Sequence, residues 1–377
     1  MVNPYQSIFF TALGAPVTYI GILGALSGGI TAVMYLVGGF VADVWGRRKV
    51  IIVFSFVSAL NAFIYVFVKS WTLLFLPVIV GALSGIYSPA LNATINDSFE
   101  PSLRPRGFAS FTIVTTIPSL FAPVAGGYLA DSLGNVPGLK LGYFLSGLFG
   151  VVAVSYRAIT LKETFKAENR NHLDLKGFIR GVINDNRKAL AEASSDARKL
   201  IAYAGVSSIA TGLSTLYISL YLVDTVHISL EVYGGLTAIS ALTTILLLLP
   251  STSFIEKVGL RWAAVLSALT SPLSMLVFVS ANGMNDLVTW SVTGGVSGAL
   301  VSPAIQSLQG NTVPRRIRGR LMAMFSVVPL LVATPAQVIS GYLYADVSRL
   351  APFIISVPFY ALSVVILAKV NPHGERE

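Results

Sequence analysis

Apolar runs of about 20 residues, long enough to cross a hydrocarbon core roughly 30 Å thick, recur along this chain and leave few folds open to it. The first starts near Val17 and runs into Gly38-Gly39-Phe40-Val41-Ala42-Asp43-Val44-Trp45-Gly46-Arg47-Arg48-Lys49; the next begins at once with Val50. The hairpin between them is too short to hold a domain and carries one acid and three bases. Charge is costly in hydrocarbon, so the cluster belongs at a membrane face. Its Lys and Arg bias marks that face as cytoplasmic. Charged residues make up 11% of the chain and hydrophobic ones 54%, where a soluble protein carries roughly 25% charged residues. A water-facing surface cannot be built from that composition. The fold class is therefore all-α integral membrane.

The formal net charge of +9 is a topology signal and not a nucleic-acid footprint. With the spans placed as below, Lys69, Lys140 and Arg349 fall outside, and the other Lys and Arg residues lie on the inner side or at inner helix ends. No nucleic-acid partner is expected. The chain has no cysteine, which excludes disulfides and thiolate metal sites. No cofactor or metal is called for. Residues 1–16 lack the basic n-region of a cleavable signal peptide.

The apolar runs predict spans at about 17–42, 49–68, 71–97, 107–130 and 139–161, then at about 199–223, 232–256, 260–281, 286–310, 319–345 and 349–370. The opening segment contains Ile8-Phe9-Phe10-Thr11-Ala12-Leu13, apolar but too short to cross. It reads either as the outer half of a first helix whose inner half is missing, or as part of a genuine eleven-helix protein. The organisation is an N-terminal bundle (1–161), a cytoplasmic linker (162–198) and a C-terminal bundle (199–377). Within the linker, Leu175, Phe178, Ile179, Val182 and Ile183 recur at helical spacing, the pattern of an amphipathic helix on the inner membrane surface.

The two halves repeat. Ser88-Pro89-Ala90 precedes a polar stretch ending in Arg106-Gly107, and Ser302-Pro303-Ala304 precedes one ending in Arg318-Gly319. An apolar helix with two prolines follows each, Pro118 and Pro123 in one copy, Pro329 and Pro335 in the other. These close with Gly127-Tyr128-Leu129 and Gly341-Tyr342-Leu343. The first hairpin has a worn copy, Glu256-Lys257-Val258-Gly259-Leu260-Arg261. Two pseudo-symmetric bundles of helices are a common transporter plan, with substrate bound at the repeat interface near the bilayer midplane.

Gly39-x3-Asp43-x2-Gly46-Arg47-Arg48-Lys49, after the second helix, resembles the signature motif of the major facilitator superfamily (MFS). The likeness extends to the six-plus-six organisation, the central linker and the degenerate second copy. In physical terms Gly39 permits close helix approach. Asp43 is an acid at the unfavourable end of a helix and needs a partner, which Arg47 could supply four residues on. The resemblance implies that Asp43 also faces the start of the eleventh helix near Gly319, locking the bundles in the outward-open state. It further implies that Arg47 pairs with an acid at the inner end of the fourth helix, here Asp97; Arg48 and Lys49 can equally serve topology alone. Pro118-x3-Ala122-Pro123-x2-Gly126-Gly127 is similar to the antiporter motif of drug/proton exchangers, which has glycine where Pro118 and Ala122 stand. Proline kinks a helix and paired glycines let helices pack closely, so this segment reads as a bend beside the cavity.

No Asp, Glu, Lys, Arg or His falls near the middle of a predicted span. Embedded ionisable groups ordinarily mark charged-substrate sites and proton relays, so a substrate held by ion pairs is not expected. The polar residues left in the spans are neutral, and Gln6, Tyr87, Asn92 and Tyr217 are the candidates for substrate contact. Hydroxyls, amides and rings suit an amphipathic organic molecule. An intramembrane enzyme would need embedded acids, histidines or a metal cluster, and an ATP-driven pump would need a phosphate-binding loop; the sequence offers neither. The favoured activity is secondary transport by alternating access, with efflux of small amphipathic compounds coupled to protons. The alternatives are an uptake carrier for a neutral metabolite such as a sugar, and a non-transporting sensor on the same scaffold. The expected working form is a monomer spanning the plasma membrane many times.

Overall fold

The computed structural model describes residues 2–98, 104–163, 188–313 and 318–371; side chains are described for these except Asp43, Asn96, Asp97, residues 104–109, Thr252, Arg318 and Gly319. The predicted amphipathic helix around Leu175–Ile183 lies outside the described residues. A short helix α1 (Gln6–Ala12) opens the N-terminal half. It is followed by α2 (Val17–Trp45), α3 (Arg47–Phe67), α4 (Phe75–Ser84), α5 (Tyr87–Asp97), α6 (Arg104–Thr116), α7 (Pro118–Leu133) and α8 (Asn135–Thr160). The C-terminal half holds α9 (Ser195–Ser214), α10 (Ile218–Asp224), α11 (Leu230–Val258), α12 (Leu260–Val279), α13 (Met284–Thr312), α14 (Arg318–Tyr342) and α15 (Ala351–Ala368).

Three pairs act as single spans with an internal break: α4 with α5 at Gly85-Ile86, α6 with α7 at Ile117, and α9 with α10 at Thr215–Tyr217. Pro118 explains the second break, because proline at the first helical position starts a helix more readily than it continues one. With α1 set aside, the predicted spans all have counterparts among the described residues. Ten are long and apolar enough to cross a membrane on those grounds alone. The other, α13, has the length, but Asn285, Asp286, Ser302, Gln306, Gln309 and four glycines dilute its hydropathy.

Hairpin chemistry sets the helix ends. Gly46 and Gly259 occupy corresponding turns, between α2 and α3 and between α11 and α12, with φ of +89° and +85°. That left-handed backbone favours glycine and lets one residue separate two long helices. Ser194 and Ser229 cap α9 and α11 by accepting the N–H groups of Ala197 and Val232. Beyond Gly46 and Gly259 the copies match again: the Arg48 guanidinium donates to the Ala158 carbonyl at the end of α8 (2.8 Å), and that of Arg261 to the Ala368 carbonyl at the end of α15 (2.7 Å). A cation at a helix C-terminus satisfies orphan carbonyls and the helix dipole together.

The bundles meet along two seams, α2 against α14 and α7 against α11. Toward the outer face a single buried cluster runs through both halves, joining Tyr5, Phe9, Leu23, Tyr65 and Leu139 to Tyr217, Leu230, Phe278 and Phe353. Toward the inner face the core divides. Ala42, Val50, Ile51 and Ala90 form one small cluster in the N-terminal bundle, while Leu200, Ala264, Leu308, Leu321 and Leu367 belong to another in the C-terminal bundle. Among the described residues the core is thus continuous across both halves on the outer side and divided on the inner side, an inward-facing arrangement.

Candidate functional site

The outer seal is built from small residues and backbone carbonyls. On α2, Gly21, Gly24 and Gly28 share a face that lies against α14: a Cβ on Gly21 would collide with the Gln337 carbonyl, and one on Gly28 would stand 3.4 Å from the Thr334 hydroxyl. Gly341 on α14 answers, with the Thr18 carbonyl 2.9 Å from where its Cβ would be. At the other seam a Cβ on Gly127 would collide with the Leu230 carbonyl. Apolar side chains gain little by leaving lipid for protein, so membrane helices associate through close packing and hydrogen bonds, and glycine supplies the first.

Hydroxyl groups supply the second. The Tyr5 hydroxyl donates to the Pro123 carbonyl at 2.6 Å and lies 3.1 Å from the Leu230 carbonyl, so it ties α7 and α11 together. The Tyr217 hydroxyl donates to the Val17 carbonyl at 3.1 Å, across the other seam. Ser7 donates to the Leu216 carbonyl between them. Asp131, near the end of α7, accepts the N–H groups of Leu230 (3.2 Å) and Glu231 (2.8 Å), capping α11 from the opposite bundle.

Beneath α1 lies a cavity of about 480 Å³ inside the N-terminal bundle, lined among others by Asn3, Gln6, Ser58, Asn61, Tyr65 and Ser146. The Gln6 amide donates to the Tyr65 hydroxyl (3.3 Å), and Tyr65 stacks on Tyr143 with ring centres 4.4 Å apart. The Asn61 carbonyl oxygen is buried there with no hydrogen-bond partner. Among the described residues, no ionisable side chain other than tyrosine lines this cavity. At the seam of α2 and α14 a second buried acceptor, Oε1 of Gln337, likewise has no partner and lies beside Gly24 and Gly28.

Two seams, a duplicated hairpin and a neutral polar interior are the build of one transporter family, and residues 1–198 and 200–377 match the model of the Major Facilitator Superfamily. The chain belongs to this superfamily. It is 22% identical over 382 residues to the quinolone resistance protein NorA of Staphylococcus aureus, an alignment covering 99% of this chain and 92% of that protein. It is 23% identical over 308 residues to the uncharacterized MFS-type transporter YqjV of Bacillus subtilis, covering 80% of this chain and 72% of the relative. Among solved structures, the nucleoside transporter NupG superposes with a TM-score of 0.72 at 15% identity, over 97% of this chain and 93% of that one. The human organic anion transporter MFSD10 gives 0.70 at 17%, over 95% and 87%. These structural likenesses speak for the fold. As a superfamily member the protein is a multi-pass membrane transporter and not an enzyme.

The inward-facing state of this superfamily member places the predicted residues unevenly. Gly39, expected at a close helix approach, has nothing within 4 Å of where a Cβ would stand, because the inner half of the interface is parted. Gly38 instead packs on Ile86 of its own bundle. Gly46 makes the hairpin turn described above. The side chains of Asp43, Asp97 and Gly319 lie outside the described residues, so the proposed lock among them is carried by the resemblance alone. Arg48 is engaged within its own bundle, through Ala158 and through its N–H to Glu163 (3.1 Å). In the antiporter-like segment, Pro118 starts α7, the Pro123 carbonyl takes the Tyr5 hydroxyl, and Gly126 and Gly127 are buried at the seam. The segment thus starts a helix and contributes to the outer seal.

Of the four substrate candidates, Gln6 lines the neutral cavity. Tyr87 packs against the inner cluster of its own bundle with Val41, Phe54 and Leu91. Asn92 is exposed on the opposite side of α5 from Ala90 and Thr94. Tyr217 is wholly buried, its hydroxyl on Val17 and its ring stacked on Tyr344 (4.9 Å), so in this state it belongs to the outer seal and not to a cavity wall. Sequence reasoning passed over Tyr5, Ser7, Asp131 and Gln337. The spacing Gly21-x2-Gly24-x3-Gly28 was a signal for the α2 seam, since small residues at helical spacing mark interfaces.

Proposed function

We propose that this transporter exports small amphipathic organic compounds in exchange for protons, by alternating access of its two bundles. The observation that carries the reading is the likeness to NorA over 99% of this chain, and it is supported by the cavity of Gln6, Asn61 and Tyr65 inside the N-terminal bundle, whose described lining is polar through amides and hydroxyls with no carboxylate, ammonium or guanidinium group. Such a site orients an uncharged or weakly polar molecule by a few hydrogen bonds and leaves most of its surface against rings and methyl groups. Its volume of about 480 Å³ is that of a drug-sized site. The likeness to NorA over nearly the whole chain supports export of drug-like compounds. The inward-facing state is the one that loads cargo from the cytoplasm.

The test is transport of a panel of amphipathic dyes and drugs into inverted vesicles, with and without an imposed pH gradient. Accumulation that rises with an acidic lumen is expected. Gradient-independent accumulation of compounds that are demonstrably carried would remove proton exchange. Carriage of neutral sugars alone, with no amphipathic compound moved, would replace export by uptake of a metabolite.

A further inference from the structure

We propose that Tyr5 and Tyr217 are a symmetry-related pair of latches that hold the outer seal shut, and that their hydroxyls set the ratio of inward-facing to outward-facing protein. Each tyrosine stands at a helix break in the first helical segment of its half: Tyr5 ends a short 3-10 turn before α1, and Tyr217 closes the break before α10. The flanking sequence is alike, Tyr5-Gln6-Ser7 and Tyr217-Ile218-Ser219. The Tyr217 hydroxyl donates across to the Val17 carbonyl at the start of α2, and the Tyr5 hydroxyl, which donates to the Pro123 carbonyl of its own bundle at 2.6 Å, also lies 3.1 Å from the Leu230 carbonyl at the start of α11 in the other bundle.

Each target helix also carries a glycine four residues after that carbonyl, Gly234 on α11 and Gly21 on α2. A Cβ on Gly234 would stand 2.5 Å from the Tyr5 hydroxyl, and one on Gly21 would stand 3.1 Å from the Tyr217 hydroxyl. The glycine is the notch that lets the phenol seat. A third element repeats as well, since Gly127 lies against Leu230 and Glu231 at one seam while Gly341 lies against Thr18 and the Tyr217 hydroxyl at the other. Tyrosine, first-turn carbonyl and notch glycine thus occur once per seam, in corresponding places of a duplicated chain. Packing alone does not require the hydroxyls, because both rings are already held, Tyr5 edge-on to Tyr233 at 5.7 Å and Tyr217 stacked on Tyr344.

Opening the outer side parts both seams: the Tyr217 bond to Val17 breaks while its ring stays on Tyr344, and Tyr5 loses Leu230 and Tyr233 while its hydroxyl keeps Pro123. Losing one hydroxyl-to-carbonyl bond changes an equilibrium by about threefold to tenfold. The latches sit at separate seams, so the two changes multiply.

The chain has no cysteine, so cysteine pairs for nitroxide labels can be introduced into it without first removing native thiols. An outer pair at Ser132 and Val232 and an inner pair at Lys162 and Lys257 report the two faces, each site being exposed. Pulsed-EPR distances are compared among the parent, Tyr5→Phe, Tyr217→Phe and the double variant. The expected result is a longer outer component and a shorter inner component that grow together, about threefold to tenfold in ratio for Tyr217→Phe, less for Tyr5→Phe, whose hydroxyl also bonds Pro123 in its own bundle, and by their product in the double variant. Gly21→Ala, which leaves both tyrosines in place but fills a notch against the Gln337 carbonyl and the Tyr217 hydroxyl, should move the ratio in the same direction. Tyr143→Phe, at a buried tyrosine whose ring contacts lie within one bundle, should leave it where it was. Unchanged distances in the double variant would overturn the proposal. So would an outer broadening with no matching inner change, which is the mark of a loosened bundle and not of a released latch.

Discussion

The two ends of the bundle interface are held by different chemistry. On the outer side, glycines admit carbonyls, and tyrosine and serine hydroxyls donate to them; the one charged member, Asp131, accepts backbone N–H groups at the start of α11. On the inner side the hairpin after α2 gathers Asp43, Arg47, Arg48 and Lys49, and the cores of the two bundles are separate. Neutral hydrogen bonds can be made and broken in a nearly dry interface at small net cost. Charges belong where water and cytosolic ions reach them. A carrier that must open each side in turn is served by a seal of many weak, directional contacts outside, and the lock that the family resemblance implies around Asp43 would add a few stronger, solvated ones inside.

The comparison is broken most severely by neutralising the inner acid. Asp43→Asn keeps shape and removes charge, and transport in vesicles is expected to fall about ten- to a hundredfold, the loss of a charge-assisted hydrogen bond in the outward-open state. Membrane insertion and the outer label distance of the inward-facing protein should persist. Wild-type transport rates in that variant would sink the locking role of Asp43.

Next in size is a contrast between two glycines of one bundle. Gly127→Ala forces a methyl group into the Leu230 carbonyl and is expected to cost about 1–3 kcal/mol of the sealed state. Gly39→Ala meets open space and exchanges a poor helix former for a good one, a gain of about 1 kcal/mol at most. Thermal midpoints in detergent should therefore move in opposite directions. A drop of equal size in both would mean that the inner half of the interface is closed as well.

The spans, their hairpins and the duplication were legible because each is written in side-chain chemistry: apolar length, Lys and Arg at one face, prolines and glycines at matching places. Two predicted starts came equally late: α8 begins at Asn135 after Gly134, whose φ is +91°, and α9 begins at Ser195 after its cap Ser194. The outer seal was largely illegible, and for a physical reason. Its acceptors are the carbonyls of Val17, Pro123, Leu216 and Leu230, and every residue has a carbonyl. Tyr217 reads from sequence as a cavity residue because phenol suits both settings; only the position of α2 assigns it to a seam. Gln337 is hidden in the same way, as an amide on a helix whose partner face is known only once α2 is docked.

A smaller effect is expected from Asp131→Ala, which removes the cap on α11 and should shift the inner label pair toward its shorter distance by about 0.5–2 kcal/mol in the conformational equilibrium. Asp131→Asn keeps one acceptor and should recover part of the shift. An alanine variant with unaltered distances would show that the tyrosines and glycines suffice for the seal.

The smallest effect separates the two roles that basic residues play at the inner end. Arg48 and Arg261 occupy matching places and each binds the last carbonyls of its own bundle's final helix, Ala158 and Ala368. Neither bond crosses a seam. Arg48→Ala and Arg261→Ala are thus expected to lower the thermal midpoint by similar small amounts, about 0.5–1 kcal/mol each. The outer label distances should stay as they were, because no bond between the bundles is lost. If Arg48→Ala moved those distances while Arg261→Ala did not, Arg48 would join Asp43 in the lock, and the hairpin that carries the superfamily's signature would differ from its worn copy in function as well as in sequence.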